Sequence, residues 1–404
     1  MTDDLDLGYM ARALELALRG AASTDPNPAV GCVIVNDGRV VGEGFTRPAG
    51  GNHAEIEALN AAGEAARGAT CYVSLEPCAH TGRTGPCTAA LIEAQVARVV
   101  FALEDPNPAV AGKGEAALAA AGIRVESPLL AAEAETLNRG FVSRMRRGRP
   151  WIRCKMAASL DGRTALASGE SQWITGEAAR RDVHRWRARS SAVMTGIGTV
   201  LADDPLLTAR PDEPGIEFLQ PARIIVDATF RTPPAARTLA AGGEVIVFGG
   251  AAPDAAVAAR REALERAGAR VETVDADGGT RGAGAGAGAG EADARPGATR
   301  ARAGERVGRL DLAAIAARLG ALEINTVWLE AGPGLSGAML AAGLVDELIL
   351  YLAPCLLGDG ARGLFALPPL ERLADRFVLG IDDVARLGDD LRIIARPAPR
   401  EGSG

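Results

Sequence analysis

His53-Ala54-Glu55 is followed by Glu76-Pro77-Cys78 and then by Cys87, in a chain of 404 residues with only 3 histidines and 6 cysteines. One imidazole and two thiolates make a ligand set suited to zinc. Three protein ligands leave the fourth tetrahedral position for water, which separates a catalytic zinc from a closed structural one. Cys78 follows a strand-like run. Cys87 follows Pro86, at what reads as the first turn of a helix, where free N–H groups and the helix dipole favour thiolate over thiol. Glu55 stands two residues after His53, and in an ideal helix such residues point roughly 200° apart, so the two serve one site only at a helix start. There Glu55 is close to the metal without being a ligand. That is the position of a general acid/base that takes a proton from water and returns it to a leaving amine. The alternatives are a closed Cys-Cys-His-His site completed by His80, buried cysteines without metal and, for Glu55, a solvated helix glutamate.

The elements that must position these residues are legible around them. Leu7, Met10, Leu14 and Leu18 recur at helical spacing behind Asp4 and Asp6, predicting an amphipathic helix over 5–20. The apolar run 29–35, the turn Asn36-Asp37-Gly38 and the extended pattern 39–45 predict a hairpin. A helix over 53–67, a strand over 70–75, a helix from Pro86, a strand over 99–103 and a helix-strand pair over 112–126 follow. Alternation of this kind implies an α/β sandwich of three layers. The basic stretch 144–150 marks a domain boundary. Strand-like runs at 151–156, 192–195, 223–227, 244–248, 326–330 and 347–351 then predict a second α/β domain. Between about 275 and 308 lies a low-complexity tract that includes the Gly-Ala run 282–290 and reads as a mobile surface insertion.

Composition narrows the function classes. At about 150 residues per domain, the length predicts two or three domains. With 44 Lys+Arg against 51 Asp+Glu, a net charge of -7 and 4% aromatic residues, the chain lacks the basic stripe and stacking surface of a nucleic-acid binder. No signal-peptide core and no membrane-length apolar run occurs, so neither a membrane nor export is expected and the expected compartment is the cytoplasm. Six cysteines are too sparse for a disulfide scaffold. Lysine is scarcer still, at Lys113 and Lys155 alone.

His-x-Glu with Pro-Cys and a later Cys is similar to the zinc deaminase signature of cytidine and base deaminases. The long loop Ala79-His80-Thr81-Gly82-Arg83-Thr84-Gly85-Pro86 between the cysteines, with Asp25-Pro26-Asn27-Pro28, resembles the deaminase half of the bifunctional riboflavin-biosynthesis deaminase/reductase family. The resemblance implies a cytidine-deaminase-like sandwich over 1–147 with His53, Cys78 and Cys87 on zinc and Glu55 catalytic. It makes Asn27, His80, Arg83, Asp105 and Asn107 substrate contacts. One departure is Thr46, seven residues before the metal histidine, where the family usually carries histidine.

The segments 155–163, 168–175, 195–205 and 207–210 resemble the reductase half of the same family, whose fold is like dihydrofolate reductase, over 150–398. Arg187 and Arg210 have the bidentate donors to grip a phosphate or ring carbonyl, and Ser171 and Leu207 complete a substrate surface. A strand over 326–329 runs into Glu330-Ala331-Gly332-Pro333-Gly334-Leu335-Ser336-Gly337 and a helix. In such a loop the glycines admit close backbone approach and helix N–H groups hold a pyrophosphate; the ribose-binding acid of a Rossmann fold is not recognisable here. The resemblance assigns Gly332, Pro333, Gly334, Leu335, Ser336 and Gly337 to NADPH phosphates, Ala157, Trp173, Thr199 and Asp203 to further cofactor contacts, and Lys155 and Glu330 to the substrate. Lys155 and Asp203 are the candidates for moving a proton. Cys355 stands where the family commonly has lysine.

The function this implies is zinc-dependent hydrolytic deamination of 2,5-diamino-6-(5-phosphoribosylamino)pyrimidin-4-one, followed by NADPH-dependent reduction of its ribosyl group to ribityl. The expected cofactors are Zn2+ and NADPH, the expected partner is a phosphoribosylated pyrimidine, and the expected assembly is a homo-oligomer. The rival readings are a base or nucleoside deaminase fused to an inactive reductase-like domain, and a nucleotide-binding protein with structural zinc.

Overall fold

In the computed structural model, residues 4–80, 85–212, 217–251, 254–274 and 310–398 are described. Arg83 and the tract 275–308 lie outside them. The first half runs α1 (Asp4–Gly20), β1 (Gly31–Asn36), β2 (Arg39–Phe45), α2 (Ala54–Ala62), β3 (Thr70–Val73), α3 (Cys87–Glu93), β4 (Arg98–Phe101), α4 (Lys113–Ala120), β5 (Arg124–Glu126), α5 (Ala131–Leu137) and α6 (Arg139–Arg147). Asp37 and Gly38 both take positive φ, 48° and 71°, as a tight turn that continues strand twist requires. The sheet order is β2-β1-β3-β4-β5, antiparallel across β1 and parallel from β3 to β5.

Two glycines show that helices cover both faces of this sheet. A Cβ on Gly31 would lie 1.9 Å from the Ala13 carbonyl of α1, and one on Gly44 would lie 2.4 Å from the Ala54 carbonyl of α2. Gly44 pairs across the strands with Cys32, the neighbour of Gly31, so the two glycines face opposite ways. The expected three layers are therefore present, and one helix approaches each face to within backbone contact.

The second half contains β6 (Trp151–Ser159), β7 (Arg163–Ala165), α7 (Glu177–Ala188), β8 (Ala192–Gly196), α8 (Ile197–Asp203), β9 (Ala222–Val226), α9 (Arg237–Ala240), β10 (Val245–Gly249), α10 (Ala255–Arg266), β11 (Arg270–Thr273), α11 (Leu312–Ala321), β12 (Thr326–Leu329), α12 (Pro333–Ala341), β13 (Glu347–Ala353), β14 (Arg362–Gly363), β15 (Leu379–Leu387) and β16 (Asp390–Pro397). Nine strands form one sheet in the order β11-β10-β9-β8-β12-β6-β13-β16-β15. It is parallel from β11 to β13 and ends in an antiparallel hairpin. Strand β10 reads as an unbroken apolar run, Val245–Gly249, and β9 departs from one only at the buried Arg223, because helices cover a parallel sheet on both faces.

The structure departs from the pattern reading in two places. The hairpin β15–β16 escapes it, and along β15 the apolar side chains face outward: Ile381 is 63% and Val384 55% exposed. The basic stretch at 144–150 is not a bare linker; it is the last turn of α6 and its exit. Arg147 and Arg149 reach Asp346 at 2.7 and 2.8 Å, and Arg144 donates to the Asn325 side chain at 2.7 Å. These arginines hold the two halves together.

Candidate active sites

His53 caps α2 from an extended backbone (φ -75°, ψ 162°), so its ring leaves the helix axis while Glu55 occupies the first turn. The two meet one site only at such a junction. The His53 Nδ1 lies 3.3 Å from the Cys87 Sγ and 3.7 Å from the Cys78 Sγ, and the Cys87 N–H donates to the Cys78 Sγ at 3.4 Å. All three ligand atoms fall within 4.8 Å of one another. Zinc bonds of about 2.3 Å to sulfur and about 2.0 Å to nitrogen imply tetrahedral edges of about 3.5 Å, which these separations match. Among the described residues no fourth ligand joins the group, and His80 is exposed. The closed-site alternative therefore has no support.

Charge in this site is arranged for a thiolate and a proton carrier. The side chain of Cys87, the His53 ring and the Cys87 N–H hold the Cys78 thiol down to about 4. The Cys78 sulfur in turn raises the His53 imidazole. Glu55 is buried, and burial together with the Cys78 charge pushes its carboxyl up to about 7. Asp105 and Asn107 lie in the loop after β4, where the Asp105 carboxylate accepts the Asn107 N–H at 2.8 Å; burial raises the Asp105 carboxyl to about 6. Asn27 occupies the α1–β1 loop and lines a separate cavity of about 390 Å³ between the two halves. Thr46 is buried at the end of β2.

The second half opens a cleft of about 1060 Å³ at the carboxyl ends of its parallel strands. Lys155 and Ala157 of β6 line it, as do Ser171, Trp173, Arg187, Leu207 and Arg210. Thr199 and Asp203 of α8 reach it, as do Glu330, Gly332, Pro333, Gly334 and Leu335 around the start of α12. Ser336 and Gly337 do not: the Ser336 hydroxyl donates to the Ala331 carbonyl, and a Cβ on Gly337 would lie 2.5 Å from the Ala366 carbonyl. Gly332 and Gly334 have open space where a Cβ would stand, and Pro333 begins the helix at its first turn. This is a cradle that a phosphate group fits. Trp173 is 72% exposed beneath the Arg180 guanidinium, 4.8 Å from its ring centre.

Glu330 is the hub of the cleft. It accepts from Arg187 and from the Trp328 ring N–H at 2.7 Å. Burial alone would raise its carboxyl; the Arg187 charge and hydrogen bonds, with Lys155 and Trp328, hold it at about 2. Burial lowers Lys155, against the pull of Glu330. His184, on α7 beside Arg187 and Arg210, is pushed down to about 4 by burial and those two charges. Pattern reading passes over Arg180, Arg237, Arg362 and Trp328. Only Trp328 carries a local signal, standing two residues before Glu330 on one strand face.

Residues 4–103 match the model of the cytidine and deoxycytidylate deaminase zinc-binding region, and residues 150–390 match that of the RibD C-terminal domain. Over 395 residues the chain is 48% identical to the riboflavin biosynthesis protein RibD of Escherichia coli (strain K12), covering 95% of this chain and 97% of that protein. The chain belongs to the bifunctional riboflavin-biosynthesis deaminase/reductase family. Members of this family join a zinc-dependent pyrimidine deaminase to an NADPH-dependent reductase, and the cofactors of this chain are accordingly zinc and NADPH. The Haemophilus influenzae member is 43% identical, over 97% of each chain. Among solved structures of the family, form 1 of Acinetobacter baumannii RibD superposes with a TM-score of 0.84 at 43% identity, covering 98% of this chain and 99% of that one. The deaminase/reductase of Thermotoga maritima superposes at 0.77 and 29% identity, with the same coverage. No helix among the described residues is long and apolar enough to cross a membrane.

Proposed function

We propose that His53, Cys78, Cys87 and Glu55 carry the deamination and that the cleft around Glu330 carries the reduction, with the halves bounded at 1–147 and 150–398. The observation that carries the first assignment is the three-ligand group with a buried carboxyl at its side. Zinc, when bound, supplies a Lewis acid that makes water nucleophilic near neutrality. Glu55 takes the proton released as the water oxygen bonds to the amine-bearing ring carbon, and returns it to the nitrogen as the carbon–nitrogen bond breaks and ammonia leaves. Asp105 and Asn107 contact the pyrimidinone and its ribose phosphate, with Asn27, His80 and Arg83 in the same role by family resemblance.

NADPH, when bound, supplies a hydride to the ribose carbon joined to nitrogen. Gly332, Pro333, Gly334 and Leu335 hold its phosphates, and Ala157, Trp173, Thr199 and Asp203 its remaining surface. Ser171, Leu207 and Arg210 hold the substrate, and Lys155 or Asp203 passes a proton to the opened imine nitrogen. Arg187 is committed to Glu330 and to the Thr208 carbonyl, so it acts on the substrate mainly through Glu330.

A homo-oligomeric assembly and a cytoplasmic location belong to the same reading. The outward apolar side chains of the edge strand β15 support the first, and six cysteines without a disulfide support the second. A coupled assay tests the whole: purified protein, with and without NADPH and with a zinc chelator, with each product identified by mass. Ammonia release that persists in chelator overturns the metal assignment. Failure to consume NADPH after deamination overturns the second.

A further inference from the structure

Glu76 belongs to the Glu-Pro-Cys motif, is only 3% exposed and takes no part in the metal group. Among the described residues it has no ion-pair partner. A buried carboxylate is costly unless its oxygens are satisfied, and here backbone N–H groups satisfy them. Oε2 accepts from Asp105 at 3.2 Å and Gly112 at 3.1 Å, and Oε1 accepts from Gly114 at 2.8 Å and Glu115 at 3.2 Å. Two of these donors lie in the first turn of α4, where the helix dipole favours a negative charge. The backbone of Glu76 is itself fixed, its N–H donating to the Leu103 carbonyl at 2.9 Å. A Cβ on Gly114 would stand 2.1 Å from the Pro77 carbonyl, so α4 begins in direct contact with the segment that presents Cys78. One side chain thus clips both ends of the loop 105–112 to the strand end that carries a metal ligand.

We propose that Glu76 is a positioning residue for deamination, holding Asp105 and Asn107 in register with the Cys78 segment. The proposal rests on the reading in which that loop contacts the substrate. Glutamine at 76 keeps the shape but turns its NH2 toward two N–H donors, and mispairing buried groups of this kind is worth roughly tenfold or more in an equilibrium.

The test is steady-state kinetics of full-length E76Q, with its zinc content and reductase activity measured on the same preparation. The expected result is a KM for the diaminopyrimidinone substrate raised about tenfold or more, with kcat, zinc stoichiometry and reductase kinetics kept. An unchanged KM overturns the proposal, as does zinc loss with kcat falling at constant KM, which would place the effect on the metal. N107A separates the proposal from its basis. An unchanged KM in N107A rejects the substrate-contact reading and the proposal with it; a raised KM in N107A beside an unchanged one in E76Q rejects the clip alone. If E76Q also loses reductase activity through misfolding, hydrogen exchange on the wild-type protein decides. Amides of Asp105, Gly112, Gly114 and Glu115 protected like those of β3 and β4 support the clip, and exchange at loop rates overturns it.

Discussion

Glu330 accepts both arms of the Arg187 guanidinium, Nε at 2.5 Å and Nη2 at 2.8 Å, which ties the end of β12 to α7. The third nitrogen donates to the Thr208 carbonyl at 3.0 Å, so the same arginine fixes the loop that carries Leu207 and Arg210. A bidentate charge-assisted pair of this kind sets position as well as charge.

E330Q should lower reductase kcat/KM by about 10- to 100-fold, since a buried guanidinium loses its matched acceptor. Deamination on the same preparation should stay at the wild-type rate. A variant that loses both activities together would mean that Glu330 supports folding rather than the cleft.

The same residue sets a pH dependence. Its folded-state value of about 2 lies below the ordinary 4.5, so ionised Glu330 stabilises the fold above the ordinary value, and that contribution is lost as pH falls toward the folded value. Thermal melts of wild type and E330Q should therefore differ most near neutrality and converge in acid. A constant difference across that range would refute the linkage.

E55Q should reduce ammonia release by about 10²- to 10⁴-fold, the usual span for one general acid/base, and should retain zinc by elemental analysis. Reduction of the already deaminated substrate should be unaffected.

Removing zinc with a chelator should abolish deamination and leave reduction intact, because the cleft around Glu330 shares no residue with His53, Cys78 and Cys87. Supplying the diaminopyrimidinone and the already deaminated substrate in separate samples, and following each product by mass, checks this. Parallel loss of both activities would show that the metal supports the whole chain.

Asp346 accepts from Arg147, Arg149 and the Ile152 N–H. D346A should cost roughly 3 kcal/mol, because a largely buried guanidinium is left unpaired. Denaturant midpoints of the full chain would measure it.

The metal centre was legible in sequence because its residue types are scarce and its local geometry is fixed by a helix start, a strand end and a proline. The cleft was legible only as ordered motifs; its wiring was not. Arg187 meets Glu330 across 143 positions, and Arg147 meets Asp346 across 199, separations that no local period encodes. Ser336 and Gly337 show the opposite limit. They satisfy the glycine-loop spacing, yet the Ser336 hydroxyl is spent on the Ala331 carbonyl and Gly337 packs against the Ala366 carbonyl, and neither lines the cleft. Strand β15 was missed because its apolar side chains face solvent, so the alternation that marks a half-buried strand is weak.

By itself the sequence determined the ligand set, the carboxyl beside it, the order of the two α/β halves and the family to which they belong, because each depends on residue identity and short spacing. Tertiary structure alone decided that Arg187 is spent on Glu330, that α6 fastens the two halves through Asp346 and Asn325, and that Glu76 clips the 105–112 loop. Those outcomes depend on which charged groups burial brings together, and a buried charge takes whichever partner the packed chain places within hydrogen-bond reach.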